Sequence, residues 1–211
     1  MLFHKLLHGI AGFTSAVGTL TLILIIGQQP AVAEQASEDP HAHHHHKIPE
    51  SIERTLVTYT VPNVNLINQD GQKVSLSELL DSEQPVMLNF IFTSCTAICP
   101  AMSATFSSVQ KQLGSDSEKL RMVSISIDPE YDTPNALNAY AKRFKAGPQW
   151  EFLTGSLDDS VSVQKAFDAD RGDKMNHSPM TLMRATRNSK WVRYEGFATA
   201  NELAKEARSM L

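Results

Sequence analysis

The sequence predicts an α/β domain in which helices cover both faces of a partly parallel central sheet. Two nearly continuous apolar runs, at residues 85–92 and 120–127, are typical of strands that are buried on both faces. Each run is followed by a segment with helix-start signals, which gives the strand–helix alternation of this class. We therefore expect a central mixed sheet flanked by helices.

The elements before and after the first apolar run have clear local signals. The pattern of residues 58–79 predicts an extended piece, a turn at Asp70-Gly71 and a second short strand, which together form an N-terminal hairpin. After the strand at 85–92, Pro100 fits the first helical position with Cys99 as the N-cap, and this helix is predicted to end at Gly114.

The rest of the chain continues the alternation. The second apolar run is followed by a helix that begins at Thr133-Pro134 and ends near Lys145. A further helix is predicted after Asp158-Asp159, to about Ala169. Two strands and a C-terminal helix with a capping box complete the domain, at residues 179–185, residues 190–196 and from Thr199-x-x-Glu202 onward.

The first 33 residues resemble a secretory signal peptide. Lys5 precedes an apolar run at residues 9–27, and Ala31-Val32-Ala33 supplies the small residues that a signal peptidase recognises. The alternative is an uncleaved membrane anchor through residues 9–27, because that run approaches the length of a bilayer span. In both cases we expect export across the cytoplasmic membrane to the periplasm, where disulfides persist. The exported protein would be either soluble or anchored in the membrane.

Residues 34–54 predict a flexible, histidine-rich arm, and residues 55–211 predict the folded domain. The arm is polar and has no hydrophobic period. Five histidines occupy six consecutive positions of the arm: His41, His43, His44, His45 and His46. Such a density is typical either of a segment that binds metal ions or of a solvated linker. The chain has a net charge of −4 and no basic stripe, which argues against a nucleic-acid partner.

The two cysteines of the chain, Cys95 and Cys99, follow the first buried strand. A disulfide between them would close a loop of about five residues, which contributes about 2 kcal/mol of stability against nearly 5 for a loop of about 100 residues. Stability is therefore a weak reason for this pair. A helix N-terminus also favours the thiolate form of Cys99, which is both the nucleophile and the metal ligand.

A redox couple and a metal clamp both remain open on this spacing. Two thiolates provide too few ligands for zinc, which takes four in structural sites, but they suit Cu(I). Outside residues 1–46 the sequence has a single histidine, His177, in the loop before a predicted strand. That loop belongs on the same sheet edge as the cysteines, so His177 is a candidate third ligand, although a lone histidine is more often structural.

Several motifs along residues 59–210 resemble the Sco/SenC family of copper proteins that assist cytochrome c oxidase assembly. They occur in the order Cys95-Thr96-Ala97-Ile98-Cys99-Pro100, Ser126-Ile127-Asp128-Pro129-Glu130-Tyr131-Asp132-Thr133-Pro134, Trp150 with Leu153-Thr154-Gly155, and His177-Ser178. The resemblance implies a thioredoxin-like fold and a copper site of Cys95, Cys99 and His177, with Cu(I) and also Cu(II) as ions to consider. It also implies a metallochaperone that delivers copper, or reducing equivalents, to the copper-centre subunit of the oxidase or to another copper protein.

Two other functions use the same residues. A thiol–disulfide oxidoreductase that keeps a client's copper-ligand cysteines reduced would need the redox-active pair Cys95 and Cys99, but not His177. A thiol peroxidase would need Cys99 and an arginine beside the thiolate, and nothing in the sequence places Arg184 or Arg143 there. The chain also departs from the family pattern, because Asn176 stands where an aspartate usually precedes the His-Ser pair.

Overall fold

The computed structural model describes residues 52–211, so the signal segment and the histidine-rich arm lie outside the described residues. Within 52–211 the chain forms one sheet of eight strands with five α-helices. The strands are β1 (Glu53–Val57), β2 (Asn65–Asn68), β3 (Lys73–Ser75), β4 (Val86–Ile91), β5 (Arg121–Ser126), β6 (Trp150–Thr154), β7 (Met180–Arg184) and β8 (Trp191–Glu195). The helices are α1 (Leu76–Leu80), α2 (Ile98–Leu113), α3 (Pro134–Arg143), α4 (Leu157–Ala166) and α5 (Ala200–Met210).

The sheet is mixed, as the sequence predicts. Its strand order is β1-β8-β7-β4-β5-β6-β2-β3, in which β4, β5 and β6 are parallel and the other pairings are antiparallel. Strand β4 lies between β5 and β7 and is buried along its whole length. The carboxyl end of β4 and the start of the antiparallel strand β7 therefore meet at the same edge of the sheet.

Two hydrophobic layers hold the helices against the sheet. Alternate side chains of β4 contribute to the two layers, with Met87 on one face and Leu88 on the other. Helices α2, α3 and α5 pack on the first face, and α1 and α4 pack on the second. Between residues 52 and 211, no helix has both the length and the apolar character that are needed to cross a bilayer.

Local signals position several element ends as expected. Gly71 has a φ of +80° in the turn of the β2–β3 hairpin, a conformation that favours glycine. Thr133 caps α3 by accepting a hydrogen bond from the Ala136 N–H, and Pro134 occupies the first turn. The capping box at Thr199 and Glu202 is present at the start of α5.

The structure also contains elements, and element boundaries, that the sequence patterns do not predict. Strand β6 is the parallel neighbour of β5 and also pairs with β2, so it joins the N-terminal hairpin to the central sheet. Strand β1 begins at Glu53, two residues before the expected start of the domain, and pairs with β8. Helix α4 begins at Leu157 with Ser156 as its cap, not after the aspartate pair, and it ends at Ala166.

Candidate metal centre

The two cysteines lie in the first loop beyond the carboxyl end of β4 and in the first turn of α2. Cys95 is half-buried and Cys99 is fully buried. The expectation that Cys99 caps the helix is wrong: α2 begins at Ile98, Ala97 precedes it, and Ala97 makes no capping hydrogen bond with its side chain. The helix starts two residues earlier than predicted, because the backbone at Ala97 has already left the extended conformation.

Backbone amides bind both sulfur atoms. The Phe92 N–H donates to Cys99 Sγ at 3.4 Å, and the Cys99 N–H donates to Cys95 Sγ, also at 3.4 Å. The two cysteines are free thiols in this structure. These contacts hold the loop folded back on the start of α2.

The electrostatic environment of Cys99 differs from the sequence expectation. Burial raises the pKa of the Cys99 thiol, and the Phe92 N–H opposes this effect only in part. The helix start therefore does not produce a free thiolate here, because desolvation outweighs the dipole. A bound cation would supply the missing positive charge and displace the proton, as metals do at thiol ligands.

His177 lies immediately after the 3₁₀ turn Lys174–Asn176 and three residues before β7. Its side chain is only 7% exposed, and within residues 52–211 its Nε2 atom has no hydrogen-bond partner. Burial lowers the pKa of His177 to about 4, although the nearby Phe90 backbone opposes the shift. The imidazole is therefore neutral at pH 7, which is the form that binds metals.

Phe92 contacts both parts of the candidate site. Its N–H binds Cys99 Sγ, and its ring packs edge-on against His177 with 6.4 Å between the ring centroids. Phe92 thus links Cys99 and His177 at this sheet edge. In the described part of the chain, no three His, Cys, Asp or Glu side chains are close enough together to hold a metal ion in this conformation. Joint coordination by Cys95, Cys99 and His177 therefore stays a prediction, and it requires side-chain rearrangement.

A buried carboxylate fixes the start of the cysteine loop. Asp132 is fully buried and accepts hydrogen bonds from the Thr93 N–H at 3.1 Å, from Thr93 Oγ1 at 2.5 Å and from Ser126 Oγ at 2.6 Å. Thr93 directly follows the residue that touches both Cys99 and His177. Local sequence patterns assign Asp132 no role of its own, because its contact with Thr93 joins residues 39 positions apart.

A second aspartate of the same segment holds the histidine loop. Asp128 is buried, and its Oδ2 lies 2.6 Å from Lys174 Nζ. Its carbonyl also accepts hydrogen bonds from the N–H groups of Tyr131 and Asp132, so it forms a turn as well. The segment between β5 and α3 therefore ties the cysteine loop through Asp132 and the histidine loop through Asp128.

The substitution at Asn176 changes what can surround the histidine. Asn176 belongs to the 3₁₀ turn just before His177, and an amide carries no negative charge. The nearby carboxylate, Asp173, is already used as the cap of this turn, since its Oδ1 accepts from the Met175 N–H at 2.8 Å. The carboxylate nearest to the turn in sequence thus supports the loop backbone rather than the imidazole.

The arrangement does not favour a thiol peroxidase. Arg184 lies at the end of β7 that pairs with Val86, which is the sheet edge opposite the cysteines, and it binds Leu80 O and Asp81. The raised pKa of the buried Cys99 thiol is also opposite to what a peroxidatic nucleophile needs.

Comparisons with known proteins agree with the motifs. The chain is 38% identical over 100 residues to the SCO1 protein homolog of Bacillus subtilis (strain 168), covering 47% of this chain and 51% of that protein. It is 32% identical over 107 residues to a protein of Stutzerimonas stutzeri that is described as copper-binding, covering 50% of each. The chain thus spans about half the length of these relatives.

The fold also matches a solved structure. BsSco, described as a member of the Sco family of cytochrome c oxidase assembly proteins and as having a disulfide switch, superposes with a TM-score of 0.63 at 28% identity, covering 74% of this chain and 95% of that chain. The thioredoxin-like fold is thereby confirmed. The SCO1/SenC family model matches residues 54–211, and the chain belongs to the SCO1/SenC family.

Proposed function

We propose that this protein is an exported copper metallochaperone that binds copper through Cys95, Cys99 and His177. It delivers that copper to, or otherwise matures, the dinuclear copper centre of a cytochrome c oxidase. Copper is its cargo, bound as Cu(I) and, in a second oxidation state, as Cu(II).

The observation that carries the proposal is the unsatisfied nitrogen of His177. A buried polar atom without a partner costs free energy, about 1–3 kcal/mol, unless a ligand satisfies it. His177 Nε2 is such an atom, on a neutral imidazole whose ring packs against the residue that binds Cys99. Two soft sulfurs and one imidazole are a donor set that suits Cu(I).

The residues also determine the proton balance of copper binding. Cys99 is a thiol at neutral pH because burial raises its pKa, whereas His177 is already deprotonated. Binding of Cu(I) as a bis-thiolate therefore releases the thiol protons to solvent, and release of copper takes protons back. No electron is transferred in this exchange.

A thiol–disulfide oxidoreductase is the second candidate function, and the unequal exposure of the two sulfurs favours it. The half-buried Cys95 can attack a client disulfide, after which Cys99 resolves the mixed disulfide. The client gains two electrons and two protons, and Cys95 and Cys99 become a disulfide. The relative BsSco is described as having a disulfide switch.

Anaerobic titration with Cu(I) against a competing chelator tests the proposal, using protein in which the five arm histidines are replaced by alanine. We expect one tight equivalent, which Cys95→Ser or Cys99→Ser abolishes. His177→Ala should weaken the affinity for this equivalent at least about tenfold, which corresponds to a loss of about 1.4 kcal/mol of binding free energy. A thiol count after reduction is the control, because it must remain at two in His177→Ala. Copper binding by His177→Ala equal to that of the parent would overturn the three-ligand site and favour the oxidoreductase.

The arm and the N-terminal segment extend the proposal beyond the described residues. We propose that residues 34–54 collect copper outside the membrane and that the protein works in the periplasm, either soluble or held by residues 9–27. Deletion of residues 34–47 should remove weak copper equivalents, leave the tight one, and raise the external copper that the cell needs for oxidase assembly. An unchanged copper requirement would identify the arm as a solvated linker.

A further inference from the structure

The structure separates the methionines near the site into two kinds. Met102 and Met180 are each 4% exposed, so both are buried, and Met180 belongs to the second hydrophobic layer. Met175 is 74% exposed, more than any other large apolar side chain between residues 52 and 211. Core packing therefore explains the first two methionines but not Met175.

The backbone at Met175 is held in place by two contacts at the start of its turn. The Met175 N–H donates to Asp173 Oδ1 at 2.8 Å, and the preceding residue, Lys174, pairs with Asp128 at 2.6 Å. The 3₁₀ turn that contains Met175 leads directly into His177. An exposed thioether is thus presented two residues before the candidate copper ligand, on a turn that is tied to the rest of the site.

The neighbouring side chains place this turn at the rim of the site. Lys174 Nζ lies 5.8 Å from the centroid of the Phe92 ring, and Phe92 contacts both Cys99 and His177. The buried Nε2 of His177, which has no hydrogen-bond partner in residues 52–211, is a second and independent indication that this loop receives a ligand.

We propose that Met175 Sδ is an outer, transient ligand for Cu(I) at the entrance of the site. A thioether is soft and neutral, so it binds Cu(I) but competes poorly with thiolates. It accepts the ion from a donor and passes it inward to Cys95, Cys99 and His177, where the thiol protons are displaced. The ion remains Cu(I) throughout. This inference rests on the proposed copper site and adds the route by which the ion enters and leaves.

Transfer kinetics test the inference in the full chain with its five arm histidines replaced by alanine. Met175→Leu keeps the size and removes the sulfur, and Met210→Leu, on the last turn of α5, is the matched control. Cu(I) is supplied as its bathocuproine disulfonate complex, and loss of the complex is followed by stopped-flow absorbance. We expect Met175→Leu to slow uptake about tenfold, as the loss of one weak contact in the transition state does. The equilibrium affinity should change less than about threefold, because the inner ligands are intact.

A second measurement detects the contact itself. In a Cys95→Ser, Cys99→Ser variant, Ag(I) replaces Cu(I) as a redox-inert soft ion, and the methionine methyl groups are observed by ¹³C NMR. We expect the Met175 methyl resonance to shift and the Met210 resonance to stay in place. Unchanged uptake in Met175→Leu, or an unshifted Met175 methyl group, would overturn the inference. If Cys95→Ser and Cys99→Ser lose tight copper binding in that case, the copper site stands and only the route through Met175 is wrong. If the cysteine variants keep tight copper binding, the proposed function itself is refuted.

Discussion

Replacement of Asp132 by alanine should destabilise the protein more than any change to a surface carboxylate. Asp132 is fully buried and accepts hydrogen bonds from Thr93 N, Thr93 Oγ1 and Ser126 Oγ. Hydrogen bonds to charged groups contribute about 1.5–3 kcal/mol each, and the substitution leaves the donors without their acceptor. Release of the buried anion from its desolvation offsets part of this loss, so we expect a net decrease of about 3 kcal/mol in the free energy of unfolding.

Urea unfolding of the reduced, metal-free protein measures this decrease, and a domain of this size should also lose about 6–12 °C in Tm. Asp116→Ala is the matched control, because Asp116 is exposed and pairs with the exposed Lys119, at 2.7 Å. Such a pair is worth at most about 1 kcal/mol. If the free energy of unfolding of Asp132→Ala were within about 0.5 kcal/mol of that of Asp116→Ala, Asp132 would not anchor the cysteine loop.

Two other predictions concern the titration and the accessibility of the site. Burial lowers the pKa of His177 from 6.5 to about 4, so the imidazole binds a proton more readily in the unfolded chain than in the folded one. The contribution of the neutral imidazole to the free energy of unfolding is therefore complete above pH 6.5 and is lost as the pH falls toward 4. When the pH is lowered from 7 to 4, the free energy of unfolding of the metal-free protein should fall by about 3 kcal/mol more than that of His177→Gln. Equal decreases in urea titrations of the two proteins would refute the buried environment of His177. Iodoacetamide should modify the half-buried Cys95 in the native reduced protein and reach the buried Cys99 only on unfolding, whereas mass-spectrometric peptide mapping that found faster labelling of Cys99 would contradict the structure.

Features that depend on local sequence were predictable. The apolar run at 85–92 appears as β4 at Val86–Ile91, because a strand covered on both faces leaves no polar alternation. The capping box at Thr199 marks the start of α5 because its hydrogen bonds are made within one turn. The same holds for the hairpin turn at Gly71.

Features that depend on distant partners were not predictable. Strand β6 is five residues long, with the half-buried Glu151 inside it, and it becomes a strand through its pairing with β5 and β2. The burial of Cys99 has the same cause, since the layer that covers it comes from elements far along the chain. Sequence patterns therefore indicated the cysteines and His177 as candidate ligands, but not the aspartates that hold their loops.

X-ray absorption at the copper edge tests the central claim most directly. The sample is the protein without arm histidines, loaded with one equivalent of Cu(I), beside His177→Ala loaded in the same way. We predict two sulfur ligands and one imidazole nitrogen in the parent protein, with loss of the imidazole signal in His177→Ala. The nitrogen is Nε2, the buried atom that has no other partner among residues 52–211. A spectrum with sulfur ligands alone, identical in the two proteins, would contradict the site.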